Sequence, residues 1–332
     1  MKLGQAVELG TNLLTAVGVP AENALITSKL ICAADAWGIG SHGLIRLPYY
    51  LNRIVGGGIN PIANLVEVKA MTTLKVMDGQ DGLGHWQLWQ ATNSAAKIAK
   101  EHGTAAVAVR SSSHAGALGL FTWPAIDNGC ATFIFSNGPA VMPAWGGSTP
   151  LLSTSPLAIG APGKPTQLII DLATSAVARG KIAAKAKSGE PVPEGWALDK
   201  DGNPTTDAQA ALMGMLAPLG GAKGFALAMA VETLTGGLVG PNLAKQMPDM
   251  FVEGDNNKPQ KISHFVVSVN AEFIDDSDYQ RISQLQQNVI ESGSRVPGAN
   301  KTNPMQLADD MTIKIAPEVV TELDQWSEKL SL

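Results

Sequence analysis

The sequence has few charged residues, no basic stripe and no hydrophobic run long enough to span a membrane. Only 16% of its 332 residues are charged, against about 25% in a typical soluble domain. The 24 Lys and Arg are outnumbered by 29 Asp and Glu, so no nucleic-acid partner is expected. The longest apolar stretch, residues 225–239, contains Glu232 and is too short to cross a bilayer, so no membrane association is expected.

Cysteine is equally scarce. Cys32 and Cys130 stand in separate apolar segments, and there is no CxxC motif. We expect two reduced, packed thiols rather than a disulfide, as is typical of cytoplasmic proteins. Residues 1–8 lack the uninterrupted apolar core of a signal peptide, which also favours a cytoplasmic location.

The apolar residues, 45% of the chain, are sufficient for a substantial core. Short apolar runs at 105–109, 131–135 and 168–171 predict strands that are buried on both faces. Helices are predicted over residues 21–35, 41–55, 86–102, 225–238, 278–291 and 317–330. The helix at 225–238 is apolar nearly all round and is expected to be buried. This pattern predicts an α/β fold in which both termini pack beside a central sheet, with a cleft at the loops that follow the strands.

The most informative segment is residues 41–50, Ser-His-Gly-Leu-Ile-Arg-Leu-Pro-Tyr-Tyr. On a single helix, His42, Arg46 and Tyr50 would form one polar stripe at i, i+4 and i+8. A guanidinium can clamp a carboxylate through two parallel hydrogen bonds, and an imidazole can exchange a proton with a neighbouring atom. The stripe therefore predicts a small anionic substrate, although Pro48 would bend such a helix. The alternative is an ordinary exposed helix face, with His42 in its first turn.

Histidine is also scarce, at five residues, and one more of them is a candidate for the site. His114 follows the predicted strand 105–109 in an uncharged, serine-rich loop. It could face a cleft there or be a buried side chain satisfied by the serines. His85, His102 and His264 are predicted to be structural. No His, Cys or acidic residues have the spacing of metal ligands, so no metal is expected.

The glycine fingerprints of common nucleotide sites are absent, since there is no GxGxxG after a strand and no GxxxxGKS/T. Two other segments could hold a phosphate. Residues 171–176, Asp-Leu-Ala-Thr-Ser-Ala, follow a predicted strand, and their amides and hydroxyls could cradle a pyrophosphate. Residues 220–224, Gly-Gly-Ala-Lys-Gly, open a predicted helix whose dipole would favour an anion. Each could equally be a tight turn, and a hydrolase lacks support because no GxSxG elbow occurs.

A series of segments occurs in a recognisable order between about residues 40 and 300. The segments are Ser41-His42-Gly43 with Arg46 and Tyr50, Asp78-Gly79 with Gly82-Leu83-Gly84, Ser113-His114, Pro143-Ala144-Trp145-Gly146-Gly147, Ser155-Pro156-Leu157-Ala158, Asp171-Leu172-Ala173-Thr174-Ser175, Lys223-Gly224-Phe225 and Arg295-Val296-Pro297-Gly298. Together they resemble the malate/L-lactate dehydrogenase family of non-Rossmann oxidoreductases. Members include sulfolactate and ureidoglycolate dehydrogenases, diketogulonate reductase, and Δ1-piperideine-2-carboxylate/Δ1-pyrroline-2-carboxylate reductases.

The resemblance implies a mixed-sheet α/β domain that binds NAD(P) without the Rossmann fold, which agrees with the missing GxGxxG. This domain would span residues 71–279, and a smaller helical domain for substrate binding and dimerisation would combine residues 1–70 and 280–332. The protein would be a homodimer. It would transfer a hydride from NAD(P)H to C2 of a small 2-oxo acid or of a cyclic 2-imino acid. The alternative is a catalytically inactive ligand-binding or structural member of the same fold.

The same resemblance implies roles for individual residues. His42 would be the general acid in reduction and the base in oxidation, and His114 would be a second catalytic residue. Arg46 would bind the substrate carboxylate, with Tyr50 beside it in the pocket. The residues expected to bind the cofactor are Asp171, Leu172, Ala173, Thr174, Ser175, Ala176, Lys223, Gly224, Pro297 and Gly298. The sequence does not choose between NADH and NADPH.

Three positions depart from the family's pattern. Some members have a lysine in the segment where this chain has Pro139. The usual Gly-Thr-Asn-Pro appears as Ser153-Thr154-Ser155-Pro156, and the usual acidic residue after Pro-Gly is Ala299. The resemblance implies that Pro139 removes a lysine that could assist proton transfer. Ser155 loses or moves an amide contact, and Ala299 alters the surroundings of the cofactor.

Overall fold

The computed structural model describes residues 1–249 and 252–332. Its α-helices are α1 (Leu3–Ala16), α2 (Ala21–Ala36), α3 (Leu47–Gly56), α4 (Gly84–His102), α5 (Trp123–Ile126), α6 (Arg179–Ser188), α7 (Ala208–Met213), α8 (Ala222–Glu232), α9 (Ala271–Ile274), α10 (Gln280–Glu291) and α11 (Pro317–Leu330). Short 3-10 turns lie at Gly40–His42, Leu44–Arg46, Leu118–Thr122, Ala244–Gln246 and Glu253–Asp255, and a π-helical turn, Thr233–Gly237, follows α8.

The strands are β1 (Val66–Ala70), β2 (Leu74–Asp78), β3 (Thr104–Ser112), β4 (Cys130–Ser136), β5 (Met142–Pro143), β6 (Pro150–Leu152), β7 (Leu157–Ala161), β8 (Leu168–Leu172), β9 (Ala197–Leu198), β10 (Pro204–Thr205), β11 (Met215–Leu216) and β12 (Ile262–Asn270). The central sheet has seven strands in the order β1-β2-β3-β12-β4-β7-β8. β2 and β3 run parallel and the other neighbours antiparallel, so the sheet is mixed, as predicted.

The three apolar runs form β3, β4 and β8, as predicted, and β12 lies between the first two. Val266 of β12 pairs with Val107 of β3 and with Ile134 of β4. These three side chains are fully buried with Leu88 of α4 and Phe121. The main core of the sheet therefore lies on the face that α4 covers.

The opposite face of the central sheet is more open. Phe133 of β4 is 37% exposed there, and Phe135, Phe265 and Val267 are half-buried. The prediction that these strands are buried on both faces is therefore wrong for a single chain. The reason is that the helices pack mainly against the face that carries Val266.

The two ends of the chain pack together. Lys2 pairs with Thr312 in an isolated β-bridge, and α11 packs against α1 and α3. α1, α2, α3 and α11 share an apolar core and form what we call the terminal bundle. α10 lies elsewhere, because its Gln286 donates a hydrogen bond to the carbonyl of Thr166 between β7 and β8.

The helix predicted over residues 225–238 differs in length and burial. α8 ends at Glu232, and its Leu227 and Met229 are 42% and 40% exposed. The prediction of a helix buried all round is wrong, because residues 1–249 and 252–332 leave one apolar face of α8 uncovered. The predicted helices that became α2, α4, α10 and α11 end within two residues of their predicted bounds.

No helix in the described ranges is long and apolar enough to cross a membrane. Cys32 and Cys130 are both buried free thiols, as expected from their apolar surroundings.

Candidate active site

A cleft of about 560 Å³ opens beside the terminal bundle, where β3, β4 and β8 end. Its lining residues come from segments 37–46, 114–118, 136–141, 153–156, 169–173 and 178–181, together with Asp249 and Lys301. The loops that follow the buried strands thus line a cleft, as predicted. A cavity of this size is typical of sites for small molecules and cofactors.

The segment that carries His42 and Arg46 is not one helix. It forms two 3-10 turns, Gly40–His42 and Leu44–Arg46, before α3 begins. The predicted single helix, and with it the stripe at i, i+4 and i+8, is therefore wrong. Pro48 lies in the first turn of α3, where its missing amide hydrogen is not needed.

Asp35, in the last turn of α2, organises this segment. Its Oδ2 accepts a hydrogen bond from the amide of Leu44 at 2.8 Å, which holds the start of the second 3-10 turn. Gly43 passes so close that a Cβ there would lie 2.1 Å from Oδ1 of Asp35. The helix predicted for the segment is interrupted here, because the Leu44 amide bonds to Asp35 and the backbone of Gly43 is not helical, at φ −87° and ψ −149°. Burial raises the pKa of Asp35 to about 6.

His42 and Arg46 both line the cleft. Nδ1 of His42 lies 3.0 Å from the hydroxyl of Ser41, and Nε of Arg46 donates to the carbonyl of Ser41 at 2.8 Å. Burial, and after it the positive charge of Arg46, lowers the pKa of His42 to about 4. His42 is therefore neutral near pH 7 and able to accept a proton.

His114 lines the same cleft just beyond β3 and stacks on His42, with 5.8 Å between the ring centroids. Nδ1 of His114 lies 2.7 Å from the hydroxyl of Tyr50, which is fully buried behind it and does not border the cleft. Burial raises the pKa of Tyr50. Burial, and next the neighbouring His42, lowers the pKa of His114, so both side chains are neutral near pH 7.

Two further histidines are fully buried behind this wall. The ring of His85 meets that of Tyr50 edge-on, at 5.1 Å between centroids. Nε2 of His264 lies 3.2 Å from the carbonyl of Ser113. Burial lowers the pKa of His85 to about 3 and that of His264 to about 4. Neither ring borders the cleft, in keeping with the structural roles predicted for them.

On the opposite wall, Asp171, Leu172 and Ala173 line the cleft at the end of β8. Oδ2 of Asp171 accepts a hydrogen bond from the amide of Gly119 at 2.9 Å. Although this carboxylate borders the open cleft, the surrounding protein raises its pKa to about 6. The Gly119 amide and the ammonium of Lys301 act in the other direction and limit that rise.

Thr174, Ser175 and Ala176 were also predicted to bind a cofactor, and they continue this wall without bordering the cleft. The amide and the hydroxyl of Thr174 both donate to the carbonyl of Thr154, at 2.9 and 3.0 Å. The amide of Ala176 donates a hydrogen bond to the carbonyl of Ala217 at 2.7 Å. These bonds hold the segment to its neighbours in the fold.

The last predicted cofactor residues lie on two other segments. The carbonyl of Pro297 accepts a hydrogen bond from the amide of Ile169, beside Asp171, at 3.1 Å. Gly298, at φ +82°, approaches so closely that a Cβ there would lie 2.6 Å from that of Ile169. Lys223 and Gly224 lie in the first turn of α8 and do not border the cleft.

The three departures from the family pattern differ in their distance from the cleft. Pro139 lines it. Ser155 is buried at φ +38°, with its hydroxyl 3.2 Å from that of Ser153. Ala299 is exposed and does not border the cleft.

Several cleft residues were not predicted from the sequence. Lys301 donates to the carbonyl of Trp37 at 2.9 Å and lies 4.8 Å from the centre of the indole ring. At the start of α6, Arg179 forms a 3.3 Å ion pair with Asp249. The partners are 264 and 70 residues apart, so no local motif could have indicated either contact.

The residues of the cleft fit a nucleotide cofactor beside a small acid. The charged side chains that line it are Arg46, Arg179, Lys181, Lys301, Asp171 and Asp249, which favours anionic ligands. A Cβ added at Gly180 would meet nothing within 4 Å, and one at Gly138 would meet only Ser153 at 3.8 Å. These glycines leave open space along the walls that a flat ring could occupy.

Solved structures share this fold. The chain matches Δ1-piperideine-2-carboxylate reductase from Pseudomonas syringae pvar. tomato with a TM-score of 0.89 and 28% identity, covering 98% of this chain and 99% of that one. It matches sulfolactate dehydrogenase from Methanocaldococcus jannaschii with a TM-score of 0.87 and 29% identity, covering 100% and 97% of the two chains. Fold and cleft together define an α/β oxidoreductase of the non-Rossmann type.

Comparison of sequences identifies the family within this class of oxidoreductases. It is 36% identical over 329 residues to (2R)-3-sulfolactate dehydrogenase (NADP(+)) of Chromohalobacter salexigens, covering 98% of each protein. The sequence profile of malate/L-lactate dehydrogenase matches residues 1–324. The chain belongs to the malate/L-lactate dehydrogenase family, which confirms the resemblance seen in its motifs. The predicted fold class and the predicted class of enzyme, a dehydrogenase or reductase, are confirmed with it.

Proposed function

We propose that the protein is an NAD(P)H-dependent oxidoreductase that transfers a hydride to C2 of a small 2-oxo acid or a cyclic 2-imino acid. The main support is that His42, Arg46 and His114 meet in one cleft, with Asp171 on its opposite wall. A carboxylate clamp, neutral imidazoles and room for a cofactor are the parts that this reaction requires.

Arg46 is the proposed binding residue for the substrate carboxylate. Its Nε is held by the carbonyl of Ser41, which restrains the plane of the guanidinium. A guanidinium held in this way favours two parallel hydrogen bonds to a carboxylate. Tyr50, also expected at the substrate, acts on it through His114, whose Nδ1 it contacts at 2.7 Å.

His42 is the proposed proton donor and acceptor. When bound, NAD(P)H supplies the hydride that C2 receives. In reduction His42 enters the step as the imidazolium and gives its proton to the carbonyl oxygen. In the reverse direction the neutral ring takes this proton from the hydroxyl, and the proton transfer contributes about 10²–10⁴ in rate. Binding of the substrate raises the pKa of His42, because the substrate carboxylate offsets the charge of Arg46 that lowers it. A cyclic imine that is already protonated needs no proton from His42.

The proposed cofactor wall runs from Asp171 to Ala173, with Lys301 opposite Trp37 at its end. Thr174, Ser175, Ala176, Pro297 and Gly298 support this wall from behind. Lys223 and Gly224 remain proposed contacts at its outer end. They are joined to it through Leu219, whose amide donates to the carbonyl of Thr174 at 2.8 Å.

We also propose two domains and a homodimer. Residues 71–279 form the cofactor domain, and residues 1–70 with 280–332 form the domain for substrate binding and dimerisation. Within the second domain, β1 pairs with β2 of the central sheet, and α10 contacts the β7–β8 loop of that sheet. The open sheet face around Phe133 and the exposed apolar side chains of α8 support an assembly in which a second copy covers them. The two buried thiols support a cytoplasmic location.

The function can be tested by a reduction screen with NADH and NADPH as separate cofactors. The substrates are pyruvate, oxaloacetate, sulfopyruvate, diketogulonate and Δ1-pyrroline-2-carboxylate, and oxidation of the cofactor is followed by absorbance. We expect turnover of at least one acid with one of the two cofactors. Because Trp37 lines the cleft, binding of the preferred cofactor should also quench tryptophan fluorescence. If neither quenching nor turnover occurs, the protein is a non-catalytic member of the family.

A further inference from the structure

The hydroxyl of Tyr50 has a single hydrogen-bond partner within residues 1–249 and 252–332, and this partner lines the cleft. Tyr50 is 0% exposed, and its oxygen lies 2.7 Å from Nδ1 of His114. A buried hydroxyl hydrogen without an acceptor is costly, whereas an oxygen with an unused lone pair is tolerated more readily. The phenol therefore donates its hydrogen to Nδ1.

Donation by Tyr50 determines which nitrogen of His114 carries the ring hydrogen. A neutral imidazole has one N–H, and Nδ1 must be bare to accept a hydrogen bond. The hydrogen is then on Nε2. Because the ring lines the cleft while Nδ1 is turned toward the buried phenol, Nε2 is the nitrogen that can serve a ligand in the cleft.

His42 has no comparable constraint. Its Nδ1 lies 3.0 Å from the hydroxyl of Ser41, which is exposed to solvent. An exposed hydroxyl can donate or accept, so it accommodates the ring both before and after a proton is transferred. The two stacked imidazoles therefore differ in their freedom to change protonation.

The ring of Tyr50 is itself held in place. His85 meets it edge-on, with 5.1 Å between centroids and 78° between the ring planes. His85 is fully buried, and neither of its ring nitrogens has a hydrogen-bond partner in the described part of the chain. It therefore acts on the phenol by packing, and a rotation of Tyr50 away from His114 would have to displace this buried ring.

We propose that Tyr50 is a positioning residue that holds His114 as the Nε2–H tautomer, so that His114 is a fixed hydrogen-bond donor to the reacting atom of the substrate. This inference rests on the proposed function. In it His114 stabilises the developing charge and His42 donates the proton. As the hydride adds to C2, the electron pair of the C=O π bond moves to oxygen, where the N–H of His114 stabilises the growing negative charge. His42 then supplies the proton to that oxygen, and His114 ends the step unchanged.

A fixed donor also discriminates between the two substrate classes. A 2-oxo acid presents a carbonyl oxygen, which accepts the hydrogen bond and becomes a stronger acceptor as the hydride arrives. A protonated cyclic imine presents its own N–H, so two donors would face each other without an acceptor. We therefore expect the protein to reduce 2-oxo acids in preference to Δ1-pyrroline-2-carboxylate.

The tautomer can be observed directly by NMR on the full chain labelled with ¹⁵N-histidine, in which there are only five histidines. A His114→Gln spectrum identifies the His114 signals. We expect a protonated Nε2 and a bare Nδ1 in the wild type, and a mixture of tautomers in Tyr50→Phe. Tyr49→Phe is the matched control and should leave the spectrum of His114 unchanged. A protonated Nδ1 in the wild type, or an unaltered tautomer in Tyr50→Phe, would overturn the proposal.

Kinetics provide the second readout. Tyr50→Phe should lower kcat for the preferred 2-oxo acid about tenfold with little change in KM, the pattern of an interaction that strengthens in the transition state. Equal losses for oxo and imino acids, or a clear preference for the imine in the wild type, would contradict the proposed donor. The NMR result needs no turnover. Inactivity toward every acid would therefore count against the proposed function and not against the tautomer.

Discussion

The two walls of the cleft hold their polar groups in different electrostatic states. On the imidazole wall, His42 and His114 are neutral near pH 7, because burial lowers the pKa of both rings. On the charged wall, Asp171 faces the ammonium of Lys301, and Arg179 is paired with Asp249. Asp171 and Arg179 on this second wall therefore each lie near a group of opposite sign.

This difference indicates what each wall can do. A neutral imidazole in a partly closed cleft can accept or pass on a proton without first breaking an ion pair. Cationic side chains that a neighbour holds in place are suited to binding an anionic ligand in a fixed position. We therefore expect substitutions on the imidazole wall to act mainly on rate or on substrate binding, and to leave cofactor binding to the charged wall.

The largest effect is expected from His42→Ala. Loss of the proton donor should lower kcat for reduction of a 2-oxo acid by at least about a hundredfold, because general acid catalysis contributes roughly 10²–10⁴. Steady-state kinetics at saturating cofactor measure the change. Cofactor affinity, followed by fluorescence quenching, should stay within about twofold of the wild type, because the charged wall is untouched.

His102→Ala is the control for this variant, since His102 is an exposed side chain at the end of α4 and does not line the cleft. It should retain full activity. Unreduced turnover in His42→Ala would remove the general-acid assignment, and a matching loss of cofactor affinity would abolish the distinction between the two walls.

A smaller effect is expected from Arg46→Lys. The ammonium keeps the positive charge but loses the fork that holds a carboxylate by two hydrogen bonds. KM for the acid should rise about tenfold, with a smaller change in kcat and none in KM for the cofactor. Arg281→Lys, on the exposed α10, is the control. An unchanged KM for the acid would place the carboxylate elsewhere in the cleft.

The parts of the fold that the sequence predicted well are those set by local pattern. Apolar runs form β3, β4 and β8, and the predicted bounds of α11 agree with the structure at both ends. His42, Arg46, His114 and Asp171 were singled out because polar residues stand out in an apolar segment or directly after one. All four line the cleft.

The parts that could not be predicted depend on contacts between distant segments. Asp35 interrupts the helix expected at residues 41–55, because its carboxylate accepts the hydrogen bond of the Leu44 amide, which a continuous helix would direct to the carbonyl of Gly40. The contact of Lys301 with Trp37 joins residues 264 apart. Periodicity along the chain carries no information about such pairs, so the sequence indicated the residue types of the site more reliably than its geometry.

The smallest effect concerns stability in acid and the histidines behind the imidazole wall. Burial lowers the pKa of His264 from its usual 6.5 to about 4 in the folded protein. Below pH 6.5 the unfolded chain takes up a proton that the folded chain resists, so the free energy of unfolding falls as the pH falls. For one such histidine the loss between pH 6.5 and pH 5 is about 1.5 kcal/mol.

His264→Gln should remove this part of the acid sensitivity, since an amide can still donate to the carbonyl of Ser113 but does not titrate in this range. Urea unfolding at pH 6.5 and pH 5 measures the difference, with His102→Gln as the exposed control. We expect the variant to lose about 1.5 kcal/mol less than the wild type over this interval. An equal loss in both proteins would mean that His264 does not resist protonation in the fold. The resistance to protonation would then be limited to His42 and His114, which line the cleft, and would not include His264 behind them.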